Sequence, residues 1–196
     1  GCRVGEISGL RWEDCDFDAG VISINHSIGV LGSGKDGKRT LYVSLPKTRR
    51  GVREIPMLSD VRDALLSEYS RQEREGFCKD EIDGFSGFVF FSQSGRVYTS
   101  ITVNKIIERI LRSYNEADNL SANAEEREPL IIRSFTAHTL RHTFCTRLCE
   151  NETNLKVIQE VMGHANIQTT MNIYAEATRD LKKKSFHGLE GKILVY

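Results

Sequence analysis

The sequence predicts an α+β fold that is mostly α-helical and carries one small antiparallel β-sheet. Two observations lead to this prediction. Alternating, β-branched segments such as "GVISINHSI" and "LYVSL" are confined to the first third of the chain. Segments with apolar residues at helical spacing fill most of the remainder. With 196 residues, 39% of them hydrophobic, the chain has the size and composition of one globular domain.

The predicted sheet has three strands in the N-terminal third of the chain. A helix over "VGEISGLRW" is expected to end near Trp12, and "GVISINHSI" to form the first strand. The loop "GVLGSGKDGKRT" separates it from the second strand, "LYVSL". The segment "PKTRRGVREIP" predicts a turn near residues 49–51 and a returning third strand. Its basic residues would then lie at a hairpin.

Helices are predicted over most of the chain after the sheet. Ser59 is expected to cap a surface helix over "LSDVRDALLSEYSRQE", and a short buried strand, "GFVFFS", follows. A helix over "TSITVNKIIERILRSYN" precedes an acidic, unperiodic segment, 115–128, that predicts an exposed loop. Three further helices are expected over roughly 136–150, 154–162 and 166–184, with Gly163 ending the second and Asn166 capping the third. The final "GKILVY" has β character.

The charges are balanced overall but segregated along the chain. Lysine and arginine number 27, as do aspartate and glutamate, yet residues 35–53 hold seven basic side chains and one acidic one. Such segregation allows one basic face on a neutral molecule and indicates an anionic partner. The alternative is a set of solvated loops that carry lysines.

The cysteines and the hydropathy exclude two classes of protein. Five cysteines, an odd number without C-x-x-C spacing, argue against a disulfide framework and favour a reducing cytoplasm. No apolar run approaches the length that spans a bilayer. Because the chain opens on "GCRVGE" without an initiator methionine, we expect it to be a fragment of a longer protein.

The segment "FTAHTLRHTFCTRLCE" predicts a helix with two polar residues at the edge of its apolar face. On a helix, an apolar arc is expected to face the core, formed by Ala137, Leu140, Phe144 and Leu148. His138 and Arg141, at i and i+3, would be neighbours at its edge, where they either line a cleft or form a solvent-edge pair.

Further along this helix, His142 is interpreted as a hydrogen-bonded structural histidine. With Cys145 and Cys149 it could suggest zinc, but no fourth ligand is in view, and buried thiols are the favoured reading. In the last helix, Tyr174 shares a face with Ile167, Thr170 and Met171, which by itself predicts a packing residue.

Five short motifs follow one another along the chain in this order: "CRVGE", "PKT…GVREIP", "HTLRH", "GHANIQTT" and "NIY". Each is weak alone, but the series resembles the catalytic domain of the tyrosine recombinases, the phage-integrase family, over essentially the whole chain. Residues 138–178 look especially similar to integrases of phages and conjugative transposons from Gram-positive bacteria. The resemblance implies that N-terminal DNA-binding domains and a first catalytic-domain helix lie outside this segment of 1–196.

Matched position by position, the resemblance implies six catalytic residues: Arg3, Lys47, His138, Arg141, His164 and Tyr174. Glu6 matches an acidic position that supports the site, and His142 matches a position just behind it. The side chains expected to contact DNA are Lys35, Lys38, Arg49, Arg50 and Arg53. Lys35 and Lys38 are rivals to Lys47 as general acid, but their Gly-rich loop favours contact with the phosphate backbone.

The chemistry implied is site-specific recombination of double-stranded DNA, which integrates or excises a mobile element. Tyr174 would attack a phosphodiester and form a covalent 3′-phosphotyrosine while Arg3 and Arg141 stabilise the phosphate charge. His138 would accept the phenolic proton, Lys47 would protonate the departing 5′-oxygen, and His164 would hydrogen-bond a phosphate oxygen. No metal or other cofactor is implied.

The resemblance also implies a homo-tetramer on DNA. The C-terminal "GKILVY" could then add a strand to a neighbouring subunit, although a strand on its own sheet or a free tail is an equal alternative. Two other functions stay open: a type IB topoisomerase-like enzyme, and a non-catalytic DNA-binding module that retains the fold.

Overall fold

The computed structural model describes residues 1–32, 39–46 and 51–179. It confirms a mostly helical chain with short antiparallel strands. The strands are β1 (Cys15–Asp16), β2 (Val21–Ile24), β3 (Ser27–Leu31), β4 (Thr40–Ser44) and β5 (Arg53–Pro56). The α-helices are α1 (Val4–Gly9), α2 (Ser59–Glu75), α3 (Ser100–Ala124), α4 (Ala137–Asn151), α5 (Leu155–Met162) and α6 (Ile167–Ala177), with a 3-10 turn at Trp12–Asp14.

The strands form two small sheets, so the prediction of one sheet is wrong. One sheet has the order β1-β2-β5, and the other pairs β3 with β4. The predicted strand "GVISINHSI" breaks at Asn25–His26, because both side chains turn toward the preceding segment. His26 is buried and its Nε2 lies 2.6 Å from the carbonyl oxygen of Gly9. The Asn25 amide donates to Asp14 at 2.8 Å.

Helix α3 extends through most of the segment that was predicted as a loop. It continues to Ala124, and only residues beyond that point leave the helix. Asp118 accepts hydrogen bonds from the Arg127 guanidinium and from the Leu130 amide, which tie the following segment back onto the helix. Asn115 bonds both backbone groups of Ile132 in the same way. These long-range contacts compensate for the missing apolar periodicity.

Two smaller predictions also fail. Ser59 is the first helical residue of α2, whose N-cap position is Leu58 and has no side-chain cap. The segment "GFVFFS" is buried, since Phe88 and Val89 have no exposed surface, but it makes only isolated bridges to Arg11 and Val97. By contrast, Gly163 ends α5 in the left-handed conformation and Asn166 caps α6 through the Gln168 amide, as predicted.

Helices α4, α5 and α6 pack around one buried cluster, which we call the three-helix core. It is centred on Cys145, Cys149, Ile158 and Met162, all almost fully buried. The buried stripe of α4 runs through Arg141, Cys145 and Cys149, while Leu140 is 51% exposed, so the predicted apolar arc is wrong at that residue. Within the part of the chain that the structure describes, no helix is long and apolar enough to cross a membrane.

Candidate active site

The C-terminal end of α5 gathers three arginines from distant parts of the chain. A helix end leaves carbonyl groups without intrahelical partners, and the negative end of the helix dipole favours cations there. Three successive carbonyls each accept from one guanidinium. The pairs are Arg53 Nε to Val161 O at 2.9 Å, Arg141 Nη2 to Met162 O at 2.5 Å, and Arg3 Nη2 to Gly163 O at 2.9 Å.

Glu6 lies between two of these arginines. Its Oε1 accepts from Arg3 Nη1 at 2.8 Å and from Arg53 Nη1 at 3.1 Å. Its Oε2 accepts from the Arg3 amide and from Arg53 Nη2, each at 2.8 Å. Burial would raise the pKa of Glu6, but the hydrogen bonds from Arg53 and from the Arg3 amide outweigh it and hold that pKa at about 2. Glu6 is therefore a carboxylate at any physiological pH.

Arg141 is buried on the inner face of α4, within the three-helix core. Besides Met162 O, its Nη1 donates to the carbonyl oxygen of Gly1 at 2.6 Å. Burial and the nearby charge of Arg3 lower its pKa, yet a guanidinium stays charged in proteins. Arg3 differs in that its side chain is 49% exposed, so part of it faces solvent. The site thus offers one accessible cation backed by a buried one.

His164 follows Gly163 and completes the cluster. Its Nδ1 lies 3.0 Å from the hydroxyl of Thr170, a fully buried residue of α6, and its carbonyl accepts from the Gln159 amide at 3.0 Å. Burial and the charges of Arg141 and Arg3 lower the pKa of His164 to about 4. The imidazole is therefore neutral at pH 7, and Nε2 is the nitrogen that can reach a ligand.

A cleft of about 600 Å³ opens beside these residues. Arg3 and Glu6 line one side, Gly163 and Ala165 another, and Ser44 to Pro46 at the end of β4 a third. Pro46 directly precedes Lys47, which lies outside the described residues. The exposed part of the Arg3 guanidinium suits a bound phosphate group in this cleft, because guanidinium forks match the oxygen geometry of a phosphate. His164 lies next to the cleft-lining Gly163 and lines a neighbouring depression.

Comparison with known proteins identifies the family of the chain. Residues 1–180 match the family model described as "Phage integrase family". The chain belongs to the phage integrase family. The transposase from transposon Tn916 of Enterococcus faecalis is 32% identical over 180 residues, which are 92% of this chain and 40% of that protein. The tyrosine recombinase XerC-like protein of Caldanaerobacter subterraneus subsp. tengcongensis is 28% identical, covering 89% of this chain and 42% of its own length.

Two solved structures are similar to the chain. The Tn1549 transposon integrase in complex with circular intermediate DNA superposes with a TM-score of 0.74 and 34% identity, over 96% of this chain and 56% of that one. The crystal structure of XerA recombinase, at 24% identity and a TM-score of 0.55, shows the shared fold alone, over 93% of this chain and 51% of that one. The chain spans about two fifths of the length of the curated relatives that it matches.

The structure brings together four of the residues that the phage-integrase resemblance implies. Arg3, Glu6, Arg141 and His164 share one network of contacts around the α5 end. Tyr174 is half-buried on α6 and packs against the three-helix core.

Two histidines of α4 lie outside that network. His138 is exposed, one turn before Arg141. His142 is also exposed, and its ring makes no hydrogen bond to any described residue, so its interpretation as a hydrogen-bonded structural histidine stays a prediction. Among residues 1–32, 39–46 and 51–179, no three His, Cys, Asp or Glu side chains form a group that could hold a metal ion.

Arg53 corrects the predicted set of DNA contacts. Its side chain is only 6% exposed and all its described bonds are to Glu6 and Val161, so it is not available to DNA. The strand alternation of "REIP" contained the signal, since Arg53 and Ile55 share the inward face of β5. The other expected DNA contacts (Lys35, Lys38, Arg49 and Arg50) lie outside the described residues. Thr170, which fixes His164, was missed because a threonine on an apolar face predicts only packing.

Proposed function

We propose that this chain is the catalytic part of a tyrosine-type, site-specific DNA recombinase that integrates or excises a mobile element. The observation that carries the proposal is the convergence of Arg3, Arg141 and His164 on the turn after α5. The names of two relatives, a transposase of Tn916 and an integrase of Tn1549 with circular intermediate DNA, support a mobile element as the substrate.

Each residue of the site has a definable task in phosphodiester cleavage. The Tyr174 oxygen bonds to phosphorus, the 5′-oxygen leaves with a proton, and the bond energy is kept in a 3′-phosphotyrosine that another 5′-hydroxyl can attack. The partly exposed Arg3 stabilises the charge that develops on the non-bridging oxygens, and the buried Arg141 behind it adds its positive charge to the same site. Neutral His164 donates from Nε2 to one of those oxygens. His138 takes the phenolic proton, and Lys47 supplies the proton to the leaving group.

The three-helix core explains how these groups keep a fixed relation to one another. Arg141 lies on α4, His164 follows α5, and Tyr174 lies on α6, and all three helices pack around one buried cluster. The proposed nucleophile and the buried arginine therefore lie on helices that pack together, which supports pre-organised attack.

Double-stranded DNA is the proposed partner, and a basic stripe on α3 adds to the expected contacts. Lys105, Arg109 and Arg112, at i, i+4 and i+7, line a shallow depression, and within the described part of the chain none of them forms an ion pair. Their neutralisation of phosphates predicts salt-dependent binding. A homo-tetramer on DNA, docking of the C-terminal segment on a neighbour, DNA-binding domains N-terminal to this segment, and a cytoplasmic location belong to the same proposal.

A non-catalytic DNA-binding module is the second candidate. The Tyr174 ring packs against the core, and its hydroxyl has no hydrogen-bond partner within the residues described, which is compatible with a purely structural tyrosine. A type IB topoisomerase-like enzyme would share the chemistry but would relax supercoiled DNA that lacks the element's ends.

The test uses the full-length protein and a nicked duplex that carries an end of the mobile element. After incubation with a metal chelator, a denaturing gel is examined for a covalent protein–DNA band. We expect the band with wild type and with Tyr114→Phe, a control at an exposed tyrosine of α3, but not with Tyr174→Phe. Tight DNA binding without any band would favour the non-catalytic module. Relaxation of a plasmid lacking the ends would favour the topoisomerase.

A further inference from the structure

Arg53 connects three elements through one buried guanidinium. Its Nε donates to Val161 O at 2.9 Å, and Nη1 and Nη2 donate to the two oxygens of Glu6 at 3.1 and 2.8 Å. Its backbone is held in β5, where Arg53 pairs with Ile24 of β2. The side chain therefore fixes α1 and the end of α5 relative to the sheet.

The first consequence concerns Arg3. Both oxygens of Glu6 are shared, since each accepts one bond from Arg3 and one from Arg53. Arg53 is the more buried partner, with a side chain 6% exposed against 49% for Arg3. Glu6 is thus anchored from the interior by Arg53 and in turn orients the Arg3 guanidinium, which is the side chain that reaches the cleft.

The second consequence concerns the turn that carries His164. Gly163 has a φ of +61°, and a Cβ at this position would lie 2.8 Å from Arg53 Nη1. The guanidinium therefore packs directly against the turn while it holds the preceding carbonyl, Val161 O. The same side chain sets the positions of Gly163 O, which accepts from Arg3, and of His164.

A lysine could not substitute for this geometry. A guanidinium spans a carboxylate with two parallel donors and offers Nε to a third acceptor, whereas an ammonium is a compact point charge. Lysine at position 53 would keep the charge near Glu6 but could not hold Glu6 and Val161 O together in fixed directions.

We propose that Arg53 is a positioning residue for strand cleavage, which locks Glu6 and the Gly163–His164 turn so that Arg3 and His164 face the same phosphate. The inference rests on the proposed recombinase function. Arg53 itself touches no substrate and acts only through Arg3 and the turn.

The experiment compares Arg53→Lys with wild type in the full-length protein, on the nicked duplex described above. The melting temperature of each variant is measured first. DNA affinity and the single-turnover rate of covalent-complex formation at saturating DNA are then measured well below that temperature. We expect the rate to fall at least about tenfold, because misplacement of a catalytic group by about 1 Å costs up to about a hundredfold. DNA affinity should stay within about twofold, since Arg53 does not touch DNA.

Arg11→Lys is the matched control. Arg11 is also little exposed, at 14%, pairs with Glu13 and Asp14, and stacks over Phe85, but none of its described contacts involves the site. Its replacement should lower the melting temperature without changing the rate. If the two lysine variants lose stability and rate in the same proportion, Arg53 is only structural and the proposal is wrong.

A double-variant cycle separates positioning from stability. In an Arg3→Lys background the effect of Arg53→Lys on the rate should shrink, because one of the two groups that Arg53 orients has already been removed and only the Gly163–His164 turn remains. If Arg53→Lys slowed cleavage by the same factor in the Arg3→Lys background as in the wild type, the proposal would be wrong. Should Arg53→Lys not fold, Arg53→Gln, which introduces no buried charge, takes its place, and failure of both to fold would also refute a positioning role.

The failure of this inference can be told apart from failure of the proposed function. If wild type forms no covalent band, the recombinase proposal fails. If wild type forms the band and Arg53→Lys forms it at the wild-type rate, only the role of Arg53 fails.

Discussion

Replacement of Glu6 by glutamine tests the charge network at its centre. The variant would leave the buried Arg53 guanidinium without a carboxylate, while the amide oxygen of glutamine could still accept one hydrogen bond. The Arg53 and Glu6 side chains are 6% and 9% exposed, so solvent cannot replace the lost partner. Breaking a buried ion pair by removal of one partner costs about 3–5 kcal/mol, and we expect the lower end, about 3 kcal/mol.

Urea unfolding followed by circular dichroism measures this loss. For a domain of this size, about 3 kcal/mol corresponds to roughly 6–12 °C in melting temperature. Glu13→Gln is the matched control, because Glu13 also pairs with an arginine, Arg11, at 2.7 Å but is 68% exposed. An exposed pair contributes less than about 1 kcal/mol, so the control should remain close to wild type.

The pH dependence gives a second, independent readout. The pKa of Glu6 is lowered from 4.5 to about 2, so the unfolded chain binds a proton at this group before the folded chain does. Its stabilisation is complete above the unfolded pKa and is lost as the pH falls toward 2. The difference in unfolding free energy between wild type and Glu6→Gln should therefore be constant above about pH 5 and narrow below it. Equal stability of Glu6→Gln and Glu13→Gln at neutral pH would refute this reasoning.

Four further predictions concern the turn and its histidine. An NMR titration of the His164 imidazole in the wild type should have its midpoint near pH 4. In Arg141→Gln the midpoint should move toward 6.5, because a nearby positive charge is removed. A wild-type midpoint near 6.5 would contradict the described burial of His164. The pKa of His164 is lower in the folded than in the unfolded chain, so the unfolded chain takes up a proton first as the pH falls from 6.5 to 4. The free energy of unfolding of the wild type should therefore decrease over this range, and His164→Gln should show a smaller decrease. Gly163→Ala should lower the free energy of unfolding in urea by more than about 1 kcal/mol, because the φ of Gly163 is +61° and a Cβ would meet Arg53. Gly32→Ala is the control and should be nearly neutral, because a Cβ at Gly32 meets nothing within 4 Å. Thr170→Val keeps the side-chain shape but removes the 3.0 Å contact to Nδ1 of His164. DNA cleavage should therefore slow, and the free energy of unfolding should fall by about 1–2 kcal/mol. Thr169→Val, at an exposed threonine, is the control.

Local signals predicted the C-terminal helices well. Gly163 and Asn166 act through their own backbone or side chain, and such short-range effects are legible in sequence. The break between β2 and β3 was not predictable in that way. It depends on where the His26 and Asn25 side chains find partners, namely Gly9 and Asp14, which lie 17 and 11 positions earlier in the chain.

The site was predictable as far as motif order extends. That order identified Arg3, Arg141 and His164, and the structure places them around one helix end. Arg53 was misassigned because it follows a run of basic residues, so the composition of the run outweighed the strand alternation that turns it inward. Whether a basic residue faces solvent or a buried carboxylate is decided by tertiary contacts that the charge pattern does not contain.

The acceptors at the end of α5 are main-chain oxygens, and this affects how the protein can vary. A substitution at Val161 or Met162 changes a side chain but cannot delete the carbonyl that an arginine uses. The requirement falls instead on the point where the helix stops, which Gly163 sets. Side-chain substitutions along α5 should therefore leave the three arginines bound at its end. A one-residue insertion or deletion before Gly163 would instead shift all three acceptor carbonyls at once.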